Sequence, residues 1–380
     1  GALSGNENFP PKTSIIDASG KYVMPGLIDG FAVQNNQAYA NAYLYMGVTS
    51  IIGVDGGRRG EFFREADPQP DIYMLESVGD DMKSTEKHLS DLQKLYEQGF
   101  KVALLKYALK PEQVKAIKAR AKELGMACIG ELGYTTYKEG IEIGVEAFVH
   151  TTRYSLDVAP EDMAMAVARE PFSDDVESPK WKYYQYLYSL KEGDEALVKH
   201  ARILGASDSY IMPTFSLLFL DLPEHQNPWD FPIASIIDEK DINNPADKQS
   251  GNHIYDSLAQ ANYTRMAVSE YMIEKTYYNN GAKYLAGSAT DVWGTMPGIS
   301  LHTELQSLQK IGLSISEALA TATSNFNKAF GWKIGKIEKD FVGNLLILNK
   351  NPLDDLDNLQ DIYLLVLRGE IVDRDSLLKK

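Results

Sequence analysis

With Cys128 as its single cysteine in 380 residues, the chain can close no internal disulfide and can build no cysteine-type zinc site. Basic residues are also short. The 38 Lys and Arg stand against 53 Asp and Glu, a formal net charge of −15. Phosphate backbones are bound by clustered Lys and Arg, so nucleic acid is excluded as a partner, and the acidic excess reads as a solvated surface. No apolar run approaches the ~18 residues that a membrane span needs. Three reaction signatures are missing as well: a Gly-x-Ser-x-Gly elbow, a phosphate loop ending in Gly-Lys-Ser/Thr, and a His-Glu-x-x-His helix. Apolar residues, at 44%, suffice for a full core. None of this indicates a compartment.

What is present is alternation. Short apolar, β-branched runs recur at Leu27–Val33, Val48–Val54, Ile72–Glu76, Val102–Lys106, Ala127–Glu131, Ala147–His150, Tyr210–Thr214 and Lys283–Ser288. Helical patterns separate them. Near-continuous apolar strands divided by helices predict a parallel sheet, and eight such units predict an α/β fold of the (β/α)₈ TIM-barrel kind. One connecting helix is legible in detail: Pro111 suits a first turn, Val114, Ile117, Ala121 and Leu124 recur at helical spacing, and Gly125 stops it. From Gly335 the pattern turns to strands, at Val342–Leu348, Ile362–Leu367 and, after a turn at Gly369, Glu370–Val372.

Two connections are longer than a barrel requires, 151–209 and 215–282. They follow the sixth and seventh strands and so emerge on the face where barrel enzymes carry their sites. Trp181, Tyr183, Tyr184, Tyr186 and Tyr188 in the first read equally as a cavity cap or as a helix packed on the barrel. Gly56-Gly57-Arg58-Arg59-Gly60, after the second strand, offers an anion-holding turn or, more simply, a flexible turn with solvated arginines.

Pro25-Gly26-Leu27-Ile28-Asp29-Gly30-Phe31-Ala32-Val33, the block Pro297-Gly298-Ile299-Ser300-Leu301-His302-Thr303-Glu304-Leu305, the run Glu317-Ala318-Leu319-Ala320-Thr321-Ala322-Thr323-Ser324-Asn325, and Gly343-Asn344-Leu345-Leu346-Ile347-Leu348 follow one another in an informative order. On these motifs the chain resembles the amidohydrolase superfamily, in its imidazolonepropionase- and prolidase-like branch, over nearly its whole length. The resemblance implies a barrel over 25–334 and a small β-sandwich made by 1–24 with 335–380. It also implies strands ahead of Ser14, where only a short polar lead stands, so a processed or truncated form is expected.

The same resemblance implies metal ligands that this chain has largely replaced. The family's His-x-His on the first strand falls on Phe31 and Val33, its carboxylated lysine on Lys106, its next histidines on Glu131 and His150, and its last-strand aspartate on Ala289. A phenyl ring and an isopropyl group have no lone pair to give a metal. Asp291 lies two residues beyond Ala289 and would need a local bulge to enter the site. No binuclear metal site, and no obligatory cofactor, is expected. There is room for a single divalent ion such as Zn²⁺ on His150, Glu131 and either Asp291 or a carboxylated Lys106. The alternative for Lys106 and Glu131 is a buried ion pair.

The catalytic candidates are therefore Asp291, Glu131 and His150, with Lys106, Phe31 and Thr214 lining the substrate. Glu131 and Asp291 also suit acid-base work without metal. His88 and His200 read as surface groups, His302 as structural, and His225 and His253 as candidates for a pocket lining. Two functions follow. One is hydrolysis of a C–N bond in a small cyclic amide or peptide-like substrate. The other is an inactive homologue that binds a ligand or partner in the barrel mouth. Oligomerisation is left open.

Overall fold

The computed structural model describes residues 15–55, 62–79, 83–151, 155–171, 173, 175, 177–255 and 257–379; the Gly56–Gly60 turn lies outside them. The chain enters through β1 (Tyr22–Pro25) and then begins the larger sheet: β2 (Leu27–Ala32), β3 (Val48–Val54), β4 (Asp71–Val78), β5 (Val102–Leu105), β6 (Ala127–Gly130), β7 (Ala147–Val149), β8 (Tyr210–Met212) and β9 (Lys283–Tyr284). These eight strands are parallel and neighbour one another in chain order. All eight predicted runs are strands. Most of their side chains are buried on both faces, as a parallel sheet under helices demands.

No ladder pairs β2 with β9, so the sheet is curled rather than continuously closed. The seam has a physical cause. Helix α10 (Ile315–Thr321) ends between the two strands, and its terminal carbonyls take their N–H groups: Thr321 O accepts from Ala286 N and Ala322 O from Ile28 N, at 3.0 and 2.8 Å. Orphan carbonyls of a helix end thus satisfy the orphan donors of two strand edges. Above that wedge, Gly30 N donates to Ala286 O at 2.9 Å. A Cβ on Gly30 would stand 2.7 Å from that same oxygen, so only glycine allows the approach.

The helices start where the sequence places their signals. Asn36 caps α1 (Gln37–Tyr45), Ser84 caps α2 (Thr85–Glu97), Pro111 opens α3 (Pro111–Leu124) with Gly125 left-handed at its end, and Thr136 with Glu139 boxes α4 (Tyr137–Ile143). The first long connection holds α5 (Glu161–Arg169), α6 (Pro179–Ser189) and α7 (Glu195–Ala206). α6 packs against α5 and α8 (Ser257–Asn279) and buries Tyr183, Tyr184 and Leu187, while Trp181 stays half-buried against Tyr263. The second holds short 3₁₀ turns and then α8. α9 (Ile299–Lys310), α10 and α11 (Ser324–Phe330) follow β9. No helix among the described residues is long and apolar enough to cross a membrane.

β1 joins β10 (Leu345–Leu348), β11 (Ile362–Leu367) and β12 (Glu370–Val372) in one four-stranded antiparallel sheet, and residues 1–14 of the expected small sandwich lie outside the described residues. One expectation is corrected. His88 and His200 are buried, at 2% and 1% exposure. Each lies on the inner stripe of an amphipathic helix, His88 with Leu92 and His200 with Leu197, Ala201 and Leu204.

Candidate functional site

The C-terminal ends of the parallel strands gather the candidate residues. Leu105 on β5 is in register with Gly130 on β6, and Glu131 N donates to Leu105 O at 2.8 Å. Their successors Lys106 and Glu131 therefore leave adjacent strands side by side and form an ion pair between Nζ and Oε2, with side chains 12% and 6% exposed. The paired reading of Lys106 is the one the geometry adopts.

His150 follows β7, with its N–H on Met212 O at 2.9 Å and its backbone left-handed at φ 55°. Nδ1 lies 2.7 Å from Thr214 Oγ1. The Thr214 hydroxyl donates its one proton to Pro213 O at 2.5 Å, so we assign the other proton to His150 Nδ1–H, which leaves the imidazole lone pair on Nε2. Phe31 meets the His150 ring edge-on, centroids 5.2 Å apart at 75°.

Asp291 is buried at 5% exposure and faces the first strand's loop. Its Oδ2 accepts from Asn35 Nδ2 at 2.6 Å and from the Tyr39 hydroxyl at 3.3 Å. Ala289, two residues before Asp291, is left-handed at φ 52°.

Sequence reading missed a layer of carboxylates under the mouth. Asp29 is fully buried on β2; its Oδ1 accepts from Ser288 N at 2.8 Å and Phe31 N at 3.3 Å, while Oδ2 is buried without a hydrogen bond. Burial pushes it up to about 6. Glu304 on α9 accepts from Ser216 N and Oγ at 2.9 and 2.8 Å through Oε2, has Oε1 unpaired, and is pushed by burial to about 8. Glu274 on α8 takes the hydroxyls of Thr151 and Tyr284, and burial raises it to about 7. A lone acid inside an apolar strand run, as in Leu27-Ile28-Asp29, was the available signal.

Phe31 and Val33 carry no donor atom for a metal, and Lys106 Nζ is taken up in the ion pair with Glu131. Among the described residues no three His, Cys, Asp or Glu side chains converge as a metal-binding group. His302 is structural, as expected, with Nε2 on Met46 O at 2.8 Å. His225 is half-buried with Nε2 3.0 Å from Asn252 Oδ1, while His253 is buried among aromatic rings.

No family model matches the sequence, and no curated protein sequence is significantly similar to it. Solved structures are similar. Bottromycin amidohydrolase superposes with a TM-score of 0.66 at 15% identity, covering 97% of this chain and 80% of that one. A prolidase candidate from Bifidobacterium longum gives 0.61 at 18%, covering 99% and 89%, and molinate hydrolase 0.61 at 12%, covering 99% and 88%. The parallel sheet of eight strands, the helices around it and the small antiparallel sheet beside it are together the amidohydrolase fold.

Proposed function

We propose that the chain is an amidohydrolase-superfamily hydrolase of C–N bonds in small cyclic amide or peptide-like substrates, working without a binuclear metal site. Its two units are 25–334, with the strand-end mouth, and 1–24 with 335–380. One observation carries the reading: His150 is anchored through Nδ1 on Thr214 Oγ1 at the strand ends of a fold whose solved representatives include amidohydrolases. In this reading Nε2 takes the proton of the attacking water, a role worth typically 10²–10⁴-fold in rate. Lys106 polarises the carbonyl, its charge balanced by Glu131, Phe31 and Thr214 line the substrate, and as the C–N bond breaks the proton passes from His150 to the leaving nitrogen, whose N–H Asp291 accepts.

A second reading, a ligand-binding homologue without turnover, is favoured by the Lys106–Glu131 pair, since mutual neutralisation leaves a weaker electrophile stabiliser. Hydrolysis of a panel of Xaa-Pro dipeptides and cyclic imides, with metal content measured on protein purified without chelator, separates them. The hydrolase reading expects turnover that falls about 100-fold or more in His150→Ala, with less than one equivalent of bound metal. Two equivalents of Zn²⁺ would overturn the account of the site. Saturable binding with no turnover would leave the second reading.

A further inference from the structure

Beside the candidate cluster, on the same strand-end face, the segments that follow β8 and β9 assemble a second group that catalysis does not use. Asp221 closes the turn Phe215–Asp221 and is 5% exposed. Its Oδ2 accepts from Trp293 Nε1 at 3.3 Å, and its Oδ1 lies 3.4 Å from His253 Nδ1. The Tyr255 hydroxyl lies 2.9 Å from the same nitrogen. His253 is 7% exposed, and its Nε2 is buried with no hydrogen-bond partner.

Around this pair stand half-buried rings. Tyr255 stacks on Tyr263 at 5.0 Å and 28°, Trp293 lies 5.0 Å from Tyr263, and Trp181 meets Tyr263 edge-on at 5.8 Å. Trp293 holds its place at φ 58°, a left-handed conformation that a bulky side chain keeps only where its surroundings over-determine it. Ile254 and Leu258, between these rings in sequence, are 81% and 72% exposed. Partly open rings with exposed aliphatic neighbours at a barrel mouth mark a binding surface.

We propose that Tyr255, Tyr263 and Trp293 form the specificity wall of the mouth and take the flat apolar ring of an amide substrate, with Asp221 and His253 as positioning residues. The inference rests on the reading of the mouth as a small-amide site and names the class of amide: one whose side chain is aromatic. Rings accept rings by offset or edge-on stacking. An ammonium would also suit an aromatic wall, but both Asp221 oxygens are turned to Trp293 and His253, so the wall presents no carboxylate to a cation.

Calorimetric titration of the full chain with N-acetyl-L-phenylalaninamide, N-acetylglycinamide and choline tests this. The phenylalanine probe should bind at least ten-fold more tightly than the glycine probe, with choline weakest. That preference should vanish in Trp293→Gly and in Tyr263→Ala, the first of which places at a left-handed position the one residue at ease there. His253→Gln and Asp221→Asn should weaken the phenylalanine probe while leaving the glycine probe unchanged, a ratio that simple destabilisation would not move. Equal affinities, a preference for choline, no binding of any probe, or a ring preference that survives both wall variants would each overturn the wall. Hydrolysis of amides by a protein that shows no ring preference would leave the hydrolase reading standing alone. A ring preference in a protein that hydrolyses nothing would leave the wall standing alone.

Discussion

Glu131 and Glu304 are both buried carboxylates in one protein, and their surroundings treat them oppositely. Glu131, at the mouth, is matched by the Lys106 ammonium. Glu304 meets only neutral donors, those of Ser216 and the Phe215 backbone, feels the Asp29 carboxyl as a like charge and keeps one oxygen unpaired, as Asp29 does. A buried charge held by a counter-charge stays charged, and its partner becomes indispensable. A buried acid offered only dipoles gives up its charge instead, which is why Asp29, Glu274 and Glu304 are raised to about 6, 7 and 8. The mouth is thus ionic, while the buried acids offered only dipoles titrate around neutral pH.

The sharpest way to break this comparison is to remove one partner at the mouth. Lys106→Met should remove the counter-charge that Glu131 meets at the mouth and cost about 3 kcal/mol in urea unfolding, with Glu131→Leu costing a similar amount. The double variant should recover most of that loss, because no charge is then left alone. If each single change costs less than about 1 kcal/mol, the pair is solvated and the contrast fails.

The lower layer makes a prediction in pH. A carboxyl raised in the folded state keeps its proton where the unfolded chain has released it, so stability falls as pH rises through that window and levels off above the folded value. The buried His200 and His302, both lowered by burial, act in the opposite sense, but only up to the ordinary histidine value near 6.5. Between pH 6.5 and 8, therefore, the carboxylates act alone. Stability should drop there by about 2 kcal/mol, followed as the shift in urea midpoint. Glu304→Gln should flatten the drop from pH 7 upward, since only Glu304 titrates near 8. A slope unchanged in that variant would show that the lower layer is ionised after all.

How much of this could be read beforehand follows from what sequence encodes locally. All eight strands of the parallel sheet, the α3 helix with its Gly125 stop and the three C-terminal strands were legible because period, caps and turns act within a few residues. The Lys106–Glu131 pair was legible as an alternative, since strand-end positions are fixed once the strands are. The wedge of Thr321 and Ala322 in the seam was not, because it depends on where a helix ends in space. Nor was the burial of His88 and His200, whose helices carry enough charge to mask their inner stripes. The Asp221–His253–Trp293 group joins residues 32 to 72 positions apart through side chains, and no short-range pattern announces that.

The comparison extends to an exposed third case. Glu317 closes a capping box at the start of α10: it accepts from Ser314 N and Oγ at 2.8 and 2.6 Å, while Glu317 N donates back to Ser314 Oγ at 3.3 Å. Those donors favour the ionised form and hold Glu317 below the ordinary glutamate range, the reverse of Glu304. Its contribution is present above the unfolded value near 4 and is lost as pH falls through the lower, folded one. Ser314→Ala should cost about 1 kcal/mol at neutral pH, the usual loss for a helix cap, and part of that cost should disappear on acidification below about pH 4. The slope between pH 6.5 and 8 should be untouched, since no group of the cap titrates there. A variant that altered both limbs would show that the cap and the buried layer are coupled through α10, whose last carbonyls sit in the barrel seam beside Asp29.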